Sequence, residues 1–205
     1  MDYIVTNGPG RAAFVRFWSL VAQAVKPHAS AFAAELMNEP MSIRRRGLYD
    51  TWRAAAEAIH VIIPDMAVGL ADPLEGALIP PWLAKLAGAG VAIDEDTVKW
   101  IRQSSSLFYV WHFYRGNYPK TAAEAVRDAL AVGTSWGVPT FATEFIDCEV
   151  WRHAAEANIS HTYWHYSCYC NTGPAFSNRD LNRTDTFGAC ILGWASGNAS
   201  KKCLS

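Results

Sequence analysis

The sequence of 205 residues is poor in charge: Asp, Glu, Lys and Arg make up 18% of it, against roughly 25% in an average domain. The formal net charge is −1, and Lys and Arg are scattered along the chain. A nucleic-acid or acidic-membrane footprint, which needs a concentrated basic face, is therefore not expected. Long apolar runs are missing as well, and nothing approaches the ~20 residues of a membrane span. No Gly-rich phosphate loop follows any expected strand, which weakens a nucleotide-binding reading. Internal repeats and low-complexity tracts are absent. Met1-Asp2-Tyr3 is not the start of a signal peptide, since no basic start is followed by an apolar run.

What is abundant is apolar. Hydrophobic residues account for 51% of the chain, enough for one sizeable core and a single domain over residues 1–205. Nine Trp are present, serving either a packed core or a cleft whose rings stack on sugars. The 5 Cys stand at 148, 168, 170, 190 and 203, and their odd number leaves at least one thiol unpaired. Asn158-Ile-Ser, Asn182-Arg-Thr and Asn198-Ala-Ser are glycosylation sequons. Together with the Cys cluster they lean towards a secretory, oxidising compartment. His161, His165, Cys168 and Cys170 are ligand types for zinc, but Cys-x-Cys is not the usual Cys-x₂-Cys spacing. No metal is expected there, and a disulfide from Cys148, Cys168 or Cys170 is the preferred reading.

Periodicity gives alternating elements. Phe14, Phe17, Trp18, Val21 and Val25 recur at helical spacing over about 9–26, with Pro9 suited to the first turn and Pro27 as the stop. Residues 31–37 read as a buried strand ending at Asn38-Glu39-Pro40. A helix over 45–62, with Leu48, Trp52, Ala55, Ile59 and Ile62 on one face, precedes a strand over 66–71. A short helix is expected at 81–86, and Asp94 or Asp96 caps another through Ile101. Residues 107–114 form the third strand. Thr121 caps a helix to about Thr134, and residues 140–145 form the fourth strand. A helix over 149–156 and a strand over 160–166 complete the series. Strands separated by helices imply a parallel sheet covered by helices, either doubly wound or a TIM barrel.

Polar residues collect at the carboxyl ends of these strands, where a barrel keeps its catalytic groups. Asn38 and Glu39 end the first, His112 and Tyr114 the third, Glu144 the fourth, and Trp164 the fifth. Two carboxylates from separate strands are what glycoside cleavage requires. One protonates the leaving oxygen, and the other attacks the anomeric carbon from ~5–5.5 Å away in a retaining enzyme.

With these residues in view, Ala34-Glu-Leu-Met-Asn-Glu-Pro40 resembles the acid/base strand of glycoside hydrolase family 5. Thr143-Glu-Phe145 resembles its nucleophile strand, His112-Phe-Tyr114 its strand-six pattern, and Tyr163-Trp164 its strand-eight pattern. The stretches 143–148 and 163–166 look most similar to endoglycoceramidase-like members. The resemblance spans about residues 12–175. It implies a (β/α)8 TIM barrel of which this chain holds strands four to eight, that is, the carboxyl-terminal part of a longer secretory protein. It further implies Glu39 as general acid/base and Glu144 as nucleophile. Asn38 is expected to bind the sugar 2-hydroxyl, and His112 the sugar or the acid/base. Tyr114 is expected to hold Glu144, and Trp164 to floor the subsite. No cofactor is implied. The expected substrate is a carbohydrate or glycolipid, namely a β-glucan or a glycosphingolipid head group. A catalytically inactive carbohydrate-binding barrel is the competing reading, and Glu35, deeper in its strand, is read as structural.

Overall fold

The computed structural model describes residues 4, 8–40, 45–71, 94–113, 121–145 and 148–162. In chain order the elements are α1 (Pro9–Val25), β1 (Ala33–Glu35), α2 (Arg45–Ile62), β2 (Ala67–Ala71), α3 (Glu95–Gln103), β3 (Leu107–Phe113), α4 (Ala122–Trp136), β4 (Thr140–Phe145), α5 (Cys148–Glu156) and β5 (Ser160–His161). The sheet runs in sequence order, β1-β2-β3-β4-β5, and the pairs β1/β2, β2/β3 and β4/β5 are parallel. An order without reversal departs from the doubly wound alternative, whose strand order turns back at a switch point. The expected helix at 81–86 lies outside the described residues.

The chain divides into two compact units. The first comprises Met1–Val110 with Val132–Pro139. Its core follows from the face of α2, where Leu48, Trp52, Ala55 and Ile59 are all fully buried. The Trp52 indole donates to the Ala71 carbonyl at 3.1 Å, which ties α2 to the end of β2 and satisfies a buried N–H. Phe14 of α1 stacks at 5.7 Å on Trp52. The Arg11 guanidinium donates to the Thr51 hydroxyl and the Gly47 carbonyl, so α1 is fixed to α2 by polar as well as apolar contact. The stripe expected on α1 holds in part only: Phe17 is 54% exposed, because the helix turns Phe14 towards α2 and leaves Phe17 to solvent. Tyr49 and Tyr109 both meet Trp136 edge-on, with centroids 5.8 and 5.0 Å away. Of the described Trp residues, 52, 111 and 136 are therefore core rather than cleft.

α3 begins at Asp94, whose carboxylate accepts from the Thr97 amide and hydroxyl at 2.9 and 3.0 Å. The amide hydrogen bond is the main reason that its pKa is held below the ordinary carboxylate value. β1 is shorter than the strand expected over 31–37. Past Glu35 the Leu36 amide still reaches the Gly69 carbonyl, and Asn38 and Glu39 lie in the segment beyond the strand.

The second unit comprises Trp111–Ala131 with Thr140–Ser205. Thr121 and Glu124 form a capping box. The Glu124 carboxylate accepts from the Thr121 amide at 2.8 Å, and the Glu124 amide donates to the Thr121 hydroxyl at 3.3 Å. That first contact chiefly lowers the Glu124 pKa. β4 alternates buried and half-buried residues up to Ala142 and Thr143, then ends on buried Glu144 and Phe145. α5 ends in a Schellman turn: the Ile159 amide reaches the Ala154 carbonyl and the Asn158 amide the Ala155 carbonyl, with Asn158 at φ 55°. Gly137, at φ 72°, makes the equivalent turn after α4 in the first unit, with Gly137 and Val138 bonded back to Thr134 and Gly133.

Gly69 in β2 has no room for a side chain, since a Cβ there meets Val110 Cγ2 at 2.6 Å and the Phe108 ring at 2.7 Å. Gly69→Ala is expected to lower stability by about 1–3 kcal/mol through overpacking, read as a lower urea midpoint. An unchanged midpoint contradicts the packing described.

Candidate active site

β3 is buried along its whole length, and His112 is its next-to-last residue. Its ring is held at both nitrogens. Nε2 lies 3.1 Å from the Thr143 hydroxyl, and Nδ1 lies 3.7 Å from Glu144 Oε2. The second distance is that of an electrostatic contact, longer than a hydrogen bond. Both side chains are almost withdrawn from solvent, at 3% and 11% exposure, so their mutual field is weakly screened. A carboxylate buried in this way must be matched by donors or cations, or its charge is too costly to keep.

The end of β4 is fixed by packing as well as by hydrogen bonds. Phe145, fully buried, meets Trp151 of α5 and His161 of β5, each edge-on at 6.1 Å. Trp151 and His161 meet one another at 4.9 Å. Thr162 then fastens β5 to β4 twice, its amide to the Ala142 carbonyl at 2.8 Å and its hydroxyl to the Thr143 carbonyl at 2.7 Å. Glu144 is thus carried on a strand end braced by α5 and β5.

In the other unit, Asn38 is exposed and Glu39 half-buried. Glu39 has φ 42° although Pro40 follows it. A residue before proline belongs in extended backbone, and positive φ is unfavourable for any residue with a Cβ. Strain of this kind persists only where surrounding structure enforces it, and it collects at functional sites.

Of the residues singled out from sequence, His112 and Glu144 come together within one unit. Asn38 and Glu39 share one segment after β1. Tyr114 and Trp164 lie outside the described residues, as do His165, Cys168 and Cys170 of the zinc alternative. His161 packs its ring between Phe145 and Trp151, with Nδ1 2.8 Å from the Ile159 carbonyl. Sequence reasoning did not single out Thr143 or Thr162. The first stands beside Glu144 in a quoted motif, but nothing in that motif signals that its hydroxyl meets an imidazole from another strand.

No protein-family model and no curated protein sequence matches the chain. Solved structures do. The chain is similar to XacCel5A in complex with cellopentaose, with a TM-score of 0.64 and 14% identity, the match covering 84% of this chain and 61% of that one. It is similar to the Clostridial cellulose synthase subunit Z from Clostridioides difficile, with a TM-score of 0.62 and 15% identity over 96% of this chain and 71% of that one. It is also similar to endo-glycoceramidase II from Rhodococcus sp., with a TM-score of 0.59 and 20% identity over 82% of this chain and 43% of that one. Against an endoglucanase, the chain spans 58% of the other's length. At these identities the likeness is one of fold, shared with structures described as endoglucanases and an endo-glycoceramidase.

Glu39→Gly removes both the carboxylate and the backbone strain. The expected result is a gain of about 1 kcal/mol, the scale of the left-handed penalty for a residue with a Cβ. Urea unfolding of the two chains checks it, and a lower midpoint for Glu39→Gly contradicts strain at this position.

Proposed function

We propose that this chain is the carboxyl-terminal part of a retaining β-glycosidase of the endo type, of the glycoside hydrolase family 5 kind. The observation that carries the reading is the buried Glu144 carboxylate beside His112 at the carboxyl end of β4, in a fold matched by endoglucanases and an endo-glycoceramidase. The strained Glu39, following β1, supports a second functional carboxylate.

In this reading Glu144 attacks the anomeric carbon while Glu39 gives its proton to the departing glycosidic oxygen. The bond to the leaving group breaks as the glycosyl–Glu144 ester forms. Glu39, now ionised, takes a proton from water. The hydroxide equivalent attacks the same carbon, and Glu144 departs as a carboxylate. The reading requires the two carboxyls ~5–5.5 Å apart. Asn38 binds the 2-hydroxyl, where a contact strengthens in the transition state. Tyr114 holds Glu144, and Trp164 floors the reacting sugar. The chemistry needs no cofactor or metal. A β-glucan is favoured as substrate by the likeness to a cellopentaose complex, and a glycosphingolipid head group by the endo-glycoceramidase likeness. Sequons at Asn158, Asn182 and Asn198 favour a secretory protein. The alternative, a carbohydrate-binding chain without turnover, draws on the chain's spanning only part of its structural neighbours' length.

Hydrolysis of an aryl β-cellobioside and of a labelled glycosphingolipid tests the reading. Glu39→Gln and Glu144→Gln each lower kcat about a thousandfold. A 2-deoxy-2-fluoro glycoside labels the peptide carrying Glu144 and leaves Glu144→Gln unlabelled. Sugar binding by the unmutated chain without hydrolysis or labelling favours the binding module and sinks the enzyme.

A further inference from the structure

We infer that Thr143 is a positioning residue that fixes which nitrogen of His112 carries the proton. The structural part stands on geometry alone, and its kinetic part rests on the reading of Glu144 as nucleophile. A neutral imidazole has one N–H and one bare nitrogen, and the partner of one nitrogen dictates the state of the other. Nδ1 of His112 faces Glu144 Oε2 at 3.7 Å. A lone pair there opposes the carboxylate, whereas an N–H there is attracted by it. Nε2 faces the Thr143 hydroxyl at 3.1 Å. A hydroxyl both donates and accepts, so it is able to give its proton to a bare Nε2. A carbonyl in the same place accepts only, and draws the proton onto Nε2, away from Glu144.

Thr143 is well suited to this work. Its branched Cβ restricts χ1, and its own carbonyl is pinned by the Thr162 hydroxyl at 2.7 Å. The His112 ring is buried, which leaves little opening for water to replace the hydroxyl. The Thr143 hydroxyl therefore donates to Nε2, and His112 presents Nδ1–H towards Glu144. That N–H steadies the Glu144 carboxylate both at rest and as it leaves the glycosyl ester. Neighbouring residues 143 and 144 thus act through one ring: the first sets its proton, and the second receives the resulting dipole.

The test uses the full chain, ¹⁵N-labelled, with long-range ¹H–¹⁵N spectra near neutral pH. The His112 signals are assigned by their loss in His112→Gln. The expected result is a protonated Nδ1 and a bare Nε2, a shift of the proton towards Nε2 in Thr143→Val, and recovery in Thr143→Ser. In the kinetic arm, Thr143→Val lowers kcat about tenfold, the scale of one lost hydrogen bond, with KM little changed, and Thr143→Ser restores it. Should Thr143→Val fail to fold, the unmutated chain still decides: a proton on Nε2, or on both nitrogens, overturns the inference. An unmoved proton in a folded Thr143→Val also overturns it. The expected spectra without any hydrolysis by the unmutated chain support the Thr143 assignment and count against the glycosidase reading instead.

Discussion

A carboxylate withdrawn from water at the end of a strand is tolerated only where its surroundings carry part of its charge, and Glu144 imposes that condition on everything near it. β3 has to bring an imidazole to it, which is why a histidine sits in a strand otherwise made of Leu, Phe, Tyr, Val and Trp. The imidazole in turn needs a partner at its far nitrogen, and Thr143 supplies one. The strand end must then hold its position, which the Phe145, Trp151 and His161 cluster and the two Thr162 bonds ensure. Apolar packing and a short polar chain cooperate here: the rings exclude water, and exclusion makes the electrostatics strong enough to matter.

The segment after β1 illustrates the opposite arrangement. There Asn38 is exposed and Glu39 half-buried, and what is unusual is the backbone. The strand stops at Glu35, and Glu39 is driven into positive φ immediately before a proline. One carboxylate is thus set by its surroundings and the other by the path of its main chain.

Much of the fold is legible in the sequence because its signals are local. The α2 helix, the β4 strand and the Asp94 cap follow from apolar spacing, bounding Gly and Pro, and a capping side chain, all within a few residues. β1 is legible as an element but not in extent, since 31–37 is mostly apolar and nothing in that pattern marks Glu35 as the end of the strand. Phe17 reads as core because spacing alone does not say which neighbour a helix face meets. In the site, His112 and Glu144 are legible as residue types at strand ends. The Thr143–His112 contact is not, because it joins residues thirty-one positions apart, and no pattern within either strand encodes it.

The Schellman turn at Asn158 has a consequence for the surface of the second unit. The residue that reverses the chain out of α5 is exposed and is also the acceptor position of an Asn-Ile-Ser sequon. It stands just ahead of β5, beside the start of β4, with which β5 pairs in parallel from Phe141 and Ser160 onward. Glu144 lies at the other end of that same strand. Any oligosaccharide carried on Asn158 would therefore emerge at the end of β4 opposite Glu144, shielding the turn from proteases.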